Sequence, residues 1–93
     1  SKHAIEGLTK AMGVELGPDG SRVNSVGRSF IETPLTKPFF ESKEFTADTI
    51  SRIALGKIGQ VEDVADAVVY LASPASSMVT GSSLLVDGGW TAR

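Results

Sequence analysis

Three side chains with chemical capability stand together at the head of the sequence, Ser1, Lys2 and His3. A serine, a histidine and any one of the aspartates have the residue types of a hydrolase triad. A triad is defined by geometry, however, and types alone do not make one. Read by its spacing, Lys2 is an ordinary lysine at the start of a helical pattern, and His3 is a surface or interface side chain. Glu62, Asp63 and Asp66 form a second ionisable group. They open another helical pattern, where carboxylates suit the positive end of the dipole, so they read as a solvated helix start rather than as metal ligands. The third candidate is Arg22 to Pro34, RVNSVGRSFIETP, which begins as a strand and ends as a loop carrying Thr33 and Pro34. In a parallel α/β sheet the ligand sits beyond the carboxyl ends of the strands, which is where Gly27 to Pro34 would lie.

Composition narrows the chemistry. The 93 residues have the size of one domain, are 41% apolar and 22% charged, and carry a net charge of −2. That balance is globular and offers no electrostatic footprint for nucleic acid or acidic lipid. There is no cysteine and one histidine, which excludes disulfides, thiolate sites and a histidine-rich metal site. No apolar run approaches the ~20 residues of a membrane span, and the start does not read as a signal peptide. The expectation is a cytoplasmic protein without metal, nucleic-acid or membrane partners.

The elements that must position these residues are legible in order. Ala4, Ile5, Leu8, Ala11, Met12 and Leu16 repeat at helical spacing. Gly7, Ala11 and Gly13 are small, as where another backbone must come close. Gly17-Pro18-Asp19-Gly20 stops the helix with a glycine cap, a proline and a turn. A strand is expected over Arg22–Val26, with Gly27 breaking it. The loop to Phe40 carries Phe30, Ile31, Leu35, Phe39 and Phe40, a lid over the chain's own core or over a bound substrate. Thr46 can cap a short helix from Ala47 to about Leu55, burying Ile50, Ile53, Ala54 and Leu55. Val61–Ala72 is the most regular helical pattern, with Val61, Val64, Ala65, Val68, Leu71 and Ala72 spaced three or four apart. Ser83–Asp87 reads as a buried strand that Gly88-Gly89 terminates; no helix pattern follows, so the glycines are not a phosphate loop.

Two strands alone would leave open faces and edges that parallel sheets normally cover. Residues 1–93 therefore read as a single partial domain, the end of a larger α/β fold with two strands and three to four helices.

At this point four stretches in order resemble one family: SKHAIEGLTKAMGVELGPDGSRVNSV, IETP, GQVEDVADAVVYLAS and VTGSSLLVDGG. Together they look like the C-terminal portion of a short-chain dehydrogenase/reductase. The resemblance implies a doubly wound Rossmann-type parallel sheet, NAD or NADP as cofactor, a small carbonyl/alcohol substrate and a dimer or tetramer. It also implies that the N-terminal dinucleotide-binding half, with the glycine-rich turn and the catalytic serine and tyrosine, lies outside these residues. Lys2 falls in the position of the family's catalytic lysine, which lowers the tyrosine's pKa and hydrogen-bonds the nicotinamide ribose. Ile31, through its backbone, and Thr33, through its hydroxyl, match the residues that hold the nicotinamide carboxamide. Gly27-Arg28-Ser29 stands where the family has asparagine-proline-glycine, so this wall of the site differs. Arg28 is either a solvated side chain or a fork for a cofactor phosphate or an acidic substrate. The rival reading is a self-associating or partner-binding module without catalysis.

Overall fold

The computed structural model describes residues 2–92, with side chains from His3 to Ala92. Its elements are α1 (Lys2–Leu16), β1 (Ser25–Arg28), β2 (Ile31–Glu32), α2 (Lys37–Phe40), α3 (Lys43–Ser51), β3 (Gly59–Gln60), α4 (Val61–Ala72) and β4 (Ser83–Val86). Short 3₁₀ turns lie at Gly17–Asp19, Pro74–Ser76 and Trp90–Ala92. β1 pairs with β4, and β2 pairs with β3. Among the described residues, four α-helices and paired parallel strands make a partial α/β fold. The chain falls into two compact units, one built from residues up to Gly27 with Asp66–Leu85, the other from Arg28–Ala65 with residues from Val86 onward.

In the first unit, α1 ends where the sequence stops it, but the left-handed residue is Gly20 (φ 80°) rather than Gly17. The Gly20 amide bonds the Gly17 carbonyl at 2.9 Å. Of the small residues in α1, Gly13 has a close neighbour: a Cβ there would lie 2.9 Å from the Gly81 amide nitrogen. At Gly7 nothing comes within 4 Å. β1 lies later than expected. Residues 22–24 are tied by side chains as well as backbone: Asn24 Nδ2 donates to the Val79 carbonyl at 2.9 Å, and Asn24 Oδ1 accepts from the Ser82 amide at 3.1 Å. The Val23 carbonyl accepts from the Gly81 amide and the Ser25 amide donates to the Ser82 carbonyl. These bonds advance in the same direction along both segments, the sense of a parallel pair. Gly27 does not break the strand. It sits inside β1, where a Cβ would lie 2.8 Å from Leu85 Cδ2.

Arg22 anchors this unit. Its Nη1 donates to Ser76 Oγ at 3.0 Å and to the Val79 carbonyl at 3.2 Å, and its Nη2 to the Ser73 carbonyl at 3.4 Å. Ser76 is fully buried and its hydroxyl also meets the Leu71 carbonyl at 2.9 Å. The expected burial of β4 is not seen. Leu84 and Leu85 are exposed, as are Ile5, Leu8 and Met12 along α1.

In the second unit, β2 and β3 are parallel with Ile31 opposite Gly59 and Glu32 opposite Gln60. Ile31 and Ile53 are its buried apolar residues. α3 begins at Lys43, because Ser42 rather than Thr46 is the cap: its hydroxyl accepts from the Phe45 amide at 3.3 Å. Thr46 turns instead to the Phe40 carbonyl at 2.8 Å. The helix ends at Ser51, so Ile53 is buried while Ala54 and Leu55 are exposed. α4 keeps its expected bounds. Asp63, in its first turn, accepts from the Gln60 amide at 2.8 Å and completes half of a capping box. Gly88 and Gly89 take φ of 61° and 90°. Side chains there would strike Ile53 Cγ2 at 2.6 Å and Ala54 Cβ at 2.7 Å, so the strand terminator is also a point of close packing.

Among the described residues no helix is long and apolar enough to cross a membrane, and no group of His, Asp and Glu is arranged to hold a metal ion.

Candidate functional site

The loop that follows β1 carries the site residues, and it is more ordered than its sequence suggests. β2 holds Ile31 with its side chain buried, 5% exposed, and its neighbour across the pair is a glycine. A Cβ at Gly59 would lie 2.5 Å from Ile31 Cδ1. Only a residue without a side chain lets β3 come this close, and the Gly59 amide then bonds the Phe30 carbonyl at 3.0 Å. Phe30 meets Trp90 edge to face, with centroids 4.8 Å apart at 60°. The greasy loop therefore divides: Phe30 and Ile31 turn inward, whereas Leu35 and Phe39 are exposed, 83% and 63%.

Thr33 starts a turn, and Thr36 locks it. The Thr33 amide donates to Thr36 Oγ1 at 2.9 Å, and the Thr36 amide donates back to Thr33 Oγ1 at 3.2 Å. The two hydroxyls are 3.1 Å apart, and the Thr36 hydroxyl donates to the Ile31 carbonyl at 2.8 Å. The Thr33 carbonyl accepts from the Thr36 and Lys37 amides. Pro34 follows Thr33 at a first-turn position, where a missing amide costs nothing. With the Thr36 proton directed to Ile31, the Thr33 hydroxyl donates to Thr36 and accepts from its amide. That leaves Thr33 one lone pair, in a fixed direction. A nicotinamide carboxamide carries an NH₂ donor that such a lone pair can accept, so these residues fit the group.

Ile31 and Thr33 are thus brought together through Thr36, which sequence reasoning missed. The signal was present as Thr33-Pro34-Leu35-Thr36, a threonine followed by proline and a second threonine one turn on. Gly59 was missed as well, because a two-residue strand has no periodicity to read. Lys2 opens α1 in the other unit, and its side chain lies outside the described residues.

Arg28 ends β1 at its carboxyl end and is exposed. Its side chain makes no hydrogen bond or ion pair among the described residues, where the ion pair that forms is Arg52–Asp48 at 3.3 Å. Three carboxylates of its unit are committed elsewhere. Glu32 accepts from Gln60 Nε2 at 3.3 Å, and Asp63 caps α4. Asp87 accepts from the Gly89 amide and from the Thr91 amide and hydroxyl, at 3.0, 3.1 and 2.7 Å. The Thr91 hydroxyl and these amides hold its carboxyl below the ordinary value near 3.8, against the opposing effect of burial.

Comparison with known proteins places nearly the whole chain in one family. A family model described as enoyl-(acyl carrier protein) reductase matches residues 1–91. The 2-dehydro-3-deoxy-D-gluconate 5-dehydrogenase of Bacillus subtilis (strain 168) is 42% identical over 93 residues, all of this chain and 37% of that protein. The L-xylulose reductase of Bos taurus is 41% identical over 92 residues, 99% of this chain and 38% of that protein. A solved 4-hydroxyisoleucine dehydrogenase mutant complexed with NADH and succinate superposes with a TM-score of 0.93 at 38% identity, covering 99% of this chain and 38% of its own. The chain spans a little over a third of the length of the curated relatives it matches, and it belongs to the short-chain dehydrogenase/reductase family as a C-terminal portion of such an enzyme.

Proposed function

We propose that this chain forms the cofactor-closing and proton-transfer portion of an NAD(P)-dependent oxidoreductase that interconverts a carbonyl and an alcohol. The observation that carries the reading is the Thr33–Thr36–Ile31 cluster, which fixes a half-buried hydroxyl beyond the carboxyl end of β2. When bound, the nicotinamide supplies or accepts the hydride. The Thr33 hydroxyl orients the carboxamide, and the Ile31 backbone lies one turn of hydrogen bonds away. Lys2 contributes a cation. A phenol near pKa ~10 becomes a competent acid–base group at neutral pH only when such a charge lowers it. In the family that phenol is a tyrosine one helical turn before the lysine. The ammonium also serves as a hydrogen-bond donor to the cofactor ribose.

The names of the relatives suggest the substrate class. Two are named for carboxylate-bearing molecules, a gluconate derivative and hydroxyisoleucine, and one for the uncharged ketose L-xylulose. A hydroxy acid or polyol with its oxo partner is proposed here, in a cytoplasmic homo-oligomer. NADH and NADPH fluorescence titrations of the protein and of Thr33→Val test the reading: saturable binding, several-fold weaker in the variant, is expected. Absence of binding by the unsubstituted full-length protein would overturn it.

A second reading keeps the fold without the chemistry. The exposed Ile5, Leu8 and Met12 on α1, at helical spacing, favour a self-associating or partner-binding module. Concentration-dependent assembly without any NAD(P)H binding is its signature.

A further inference from the structure

We infer that Arg28 is a specificity-determining residue that binds the carboxylate of an anionic substrate; this rests on the oxidoreductase reading above. Its place is the first argument. Arg28 is the last residue of β1, at the carboxyl end where ligands sit on such sheets, and it stands where proline occupies the family pattern. A proline there has no charge and no donor. An arginine presents five donors in a planar fork matched to a carboxylate.

Its lack of partners is the second argument. Glu32, the acid nearest in sequence, is engaged by Gln60; Asp63 is engaged by the Gln60 amide, and Asp87 by Gly89 and Thr91. With no ion pair or hydrogen bond to the Arg28 side chain among the described residues, its fork is free for an incoming oxyanion. The third argument is position relative to the cofactor cluster. Arg28 precedes Ile31 and Thr33 in the same compact unit. A substrate carboxylate and a cofactor phosphate would offer the same oxyanion chemistry to that fork, and the test below separates them.

The test compares the full-length protein with Arg28→Gln and Arg28→Lys. Two readouts are taken: turnover of D-gluconate against a neutral polyol such as xylitol, and competitive inhibition by succinate against its uncharged diamide. Arg28→Gln is expected to lower the acid-to-polyol ratio of kcat/KM about tenfold or more, chiefly through KM, and to weaken succinate inhibition to match. Arg28→Lys is expected to restore part of both. NAD(P)H affinity in Arg28→Gln is measured alongside as the control for folding and for phosphate binding. An unmoved acid-to-polyol ratio with NAD(P)-linked activity intact overturns the role of Arg28 and leaves the oxidoreductase reading standing. A loss confined to NAD(P)H affinity assigns the fork to a cofactor phosphate and overturns it equally. No NAD(P)H binding by the unsubstituted protein removes the underlying reading, and this inference with it.

Discussion

The Thr36 hydroxyl closes onto the Ile31 carbonyl at 2.8 Å, and the same oxygen receives the Thr33 amide at 2.9 Å. One side chain thereby sets both the end of β2 and the direction of the Thr33 hydroxyl. Thr36→Val keeps the volume and removes every one of these bonds. It is expected to cost about 1–2 kcal/mol in urea unfolding and to weaken NAD(P)H binding together with it. Unchanged cofactor affinity in a folded Thr36→Val protein would separate the turn from the site.

Gly59 and Ile31 form a matched pair. Gly59→Ala places a methyl 2.5 Å from Ile31 Cδ1 and is expected to destabilise by about 1–3 kcal/mol. Ile31→Val removes that Cδ1 at a cost of about 0.5–1.5 kcal/mol. Because the second change relieves the clash made by the first, the double variant is expected to lose less than the sum. Strict additivity in denaturant titrations would show that the strands part rather than collide.

Arg22 reaches three acceptors on one segment, Ser76 Oγ and the carbonyls of Val79 and Ser73. A lysine has a single nitrogen and cannot span them. Arg22→Lys is expected to destabilise by about 1–2 kcal/mol despite conserving charge. Hydrogen exchange should locate the loss at residues 73–82, and protection there equal to that of the parent would count against the anchor.

Asp87 links stability to acid. Its folded-state pKa is lowered, first by the Thr91 hydroxyl and then by the Gly89 and Thr91 amides. A lowered carboxyl contributes stability that is fully present above the unfolded value, near 3.8, and lost as pH falls through the folded value. The parent should therefore exceed Asp87→Asn in stability at neutral pH, and the gap should close below about pH 4. A gap that persists unchanged to pH 2 would assign the effect to shape rather than charge.

Much of this was legible in the sequence where periodicity or capping chemistry is strong. α4 has the bounds that its apolar spacing predicts, and Asp63 sits where the dipole favours it. Legibility failed where tertiary contacts decide. β1 spans Ser25–Arg28, while just before it the Arg22 and Asn24 side chains bond residues 73–82, contacts that no local pattern announces. α3 starts at Lys43 because two competing caps, Ser42 and Thr46, differ in what lies within reach, and Thr46 finds the Phe40 carbonyl. α2 forms despite Pro38, since that proline stands in the first turn, where its missing amide is harmless. In the candidate site Ile31 and Thr33 could be named through the family resemblance alone. Thr36 and Gly59 could not, because their importance arises from a hydroxyl direction and a Cβ clash that exist only in the folded chain.

The most direct test of the central claim is the pH dependence of NAD(P)-linked alcohol oxidation by the full-length protein and by Lys2→Ala. A cation that lowers a phenol's pKa is expected to contribute about 10²–10⁴-fold to the rate. Lys2→Ala should lose turnover on that scale, and its residual activity should rise only at higher pH, where the phenol ionises unaided. Equal turnover and an unshifted pH profile in Lys2→Ala would contradict the proton-transfer role and leave this chain as a structural portion of its enzyme.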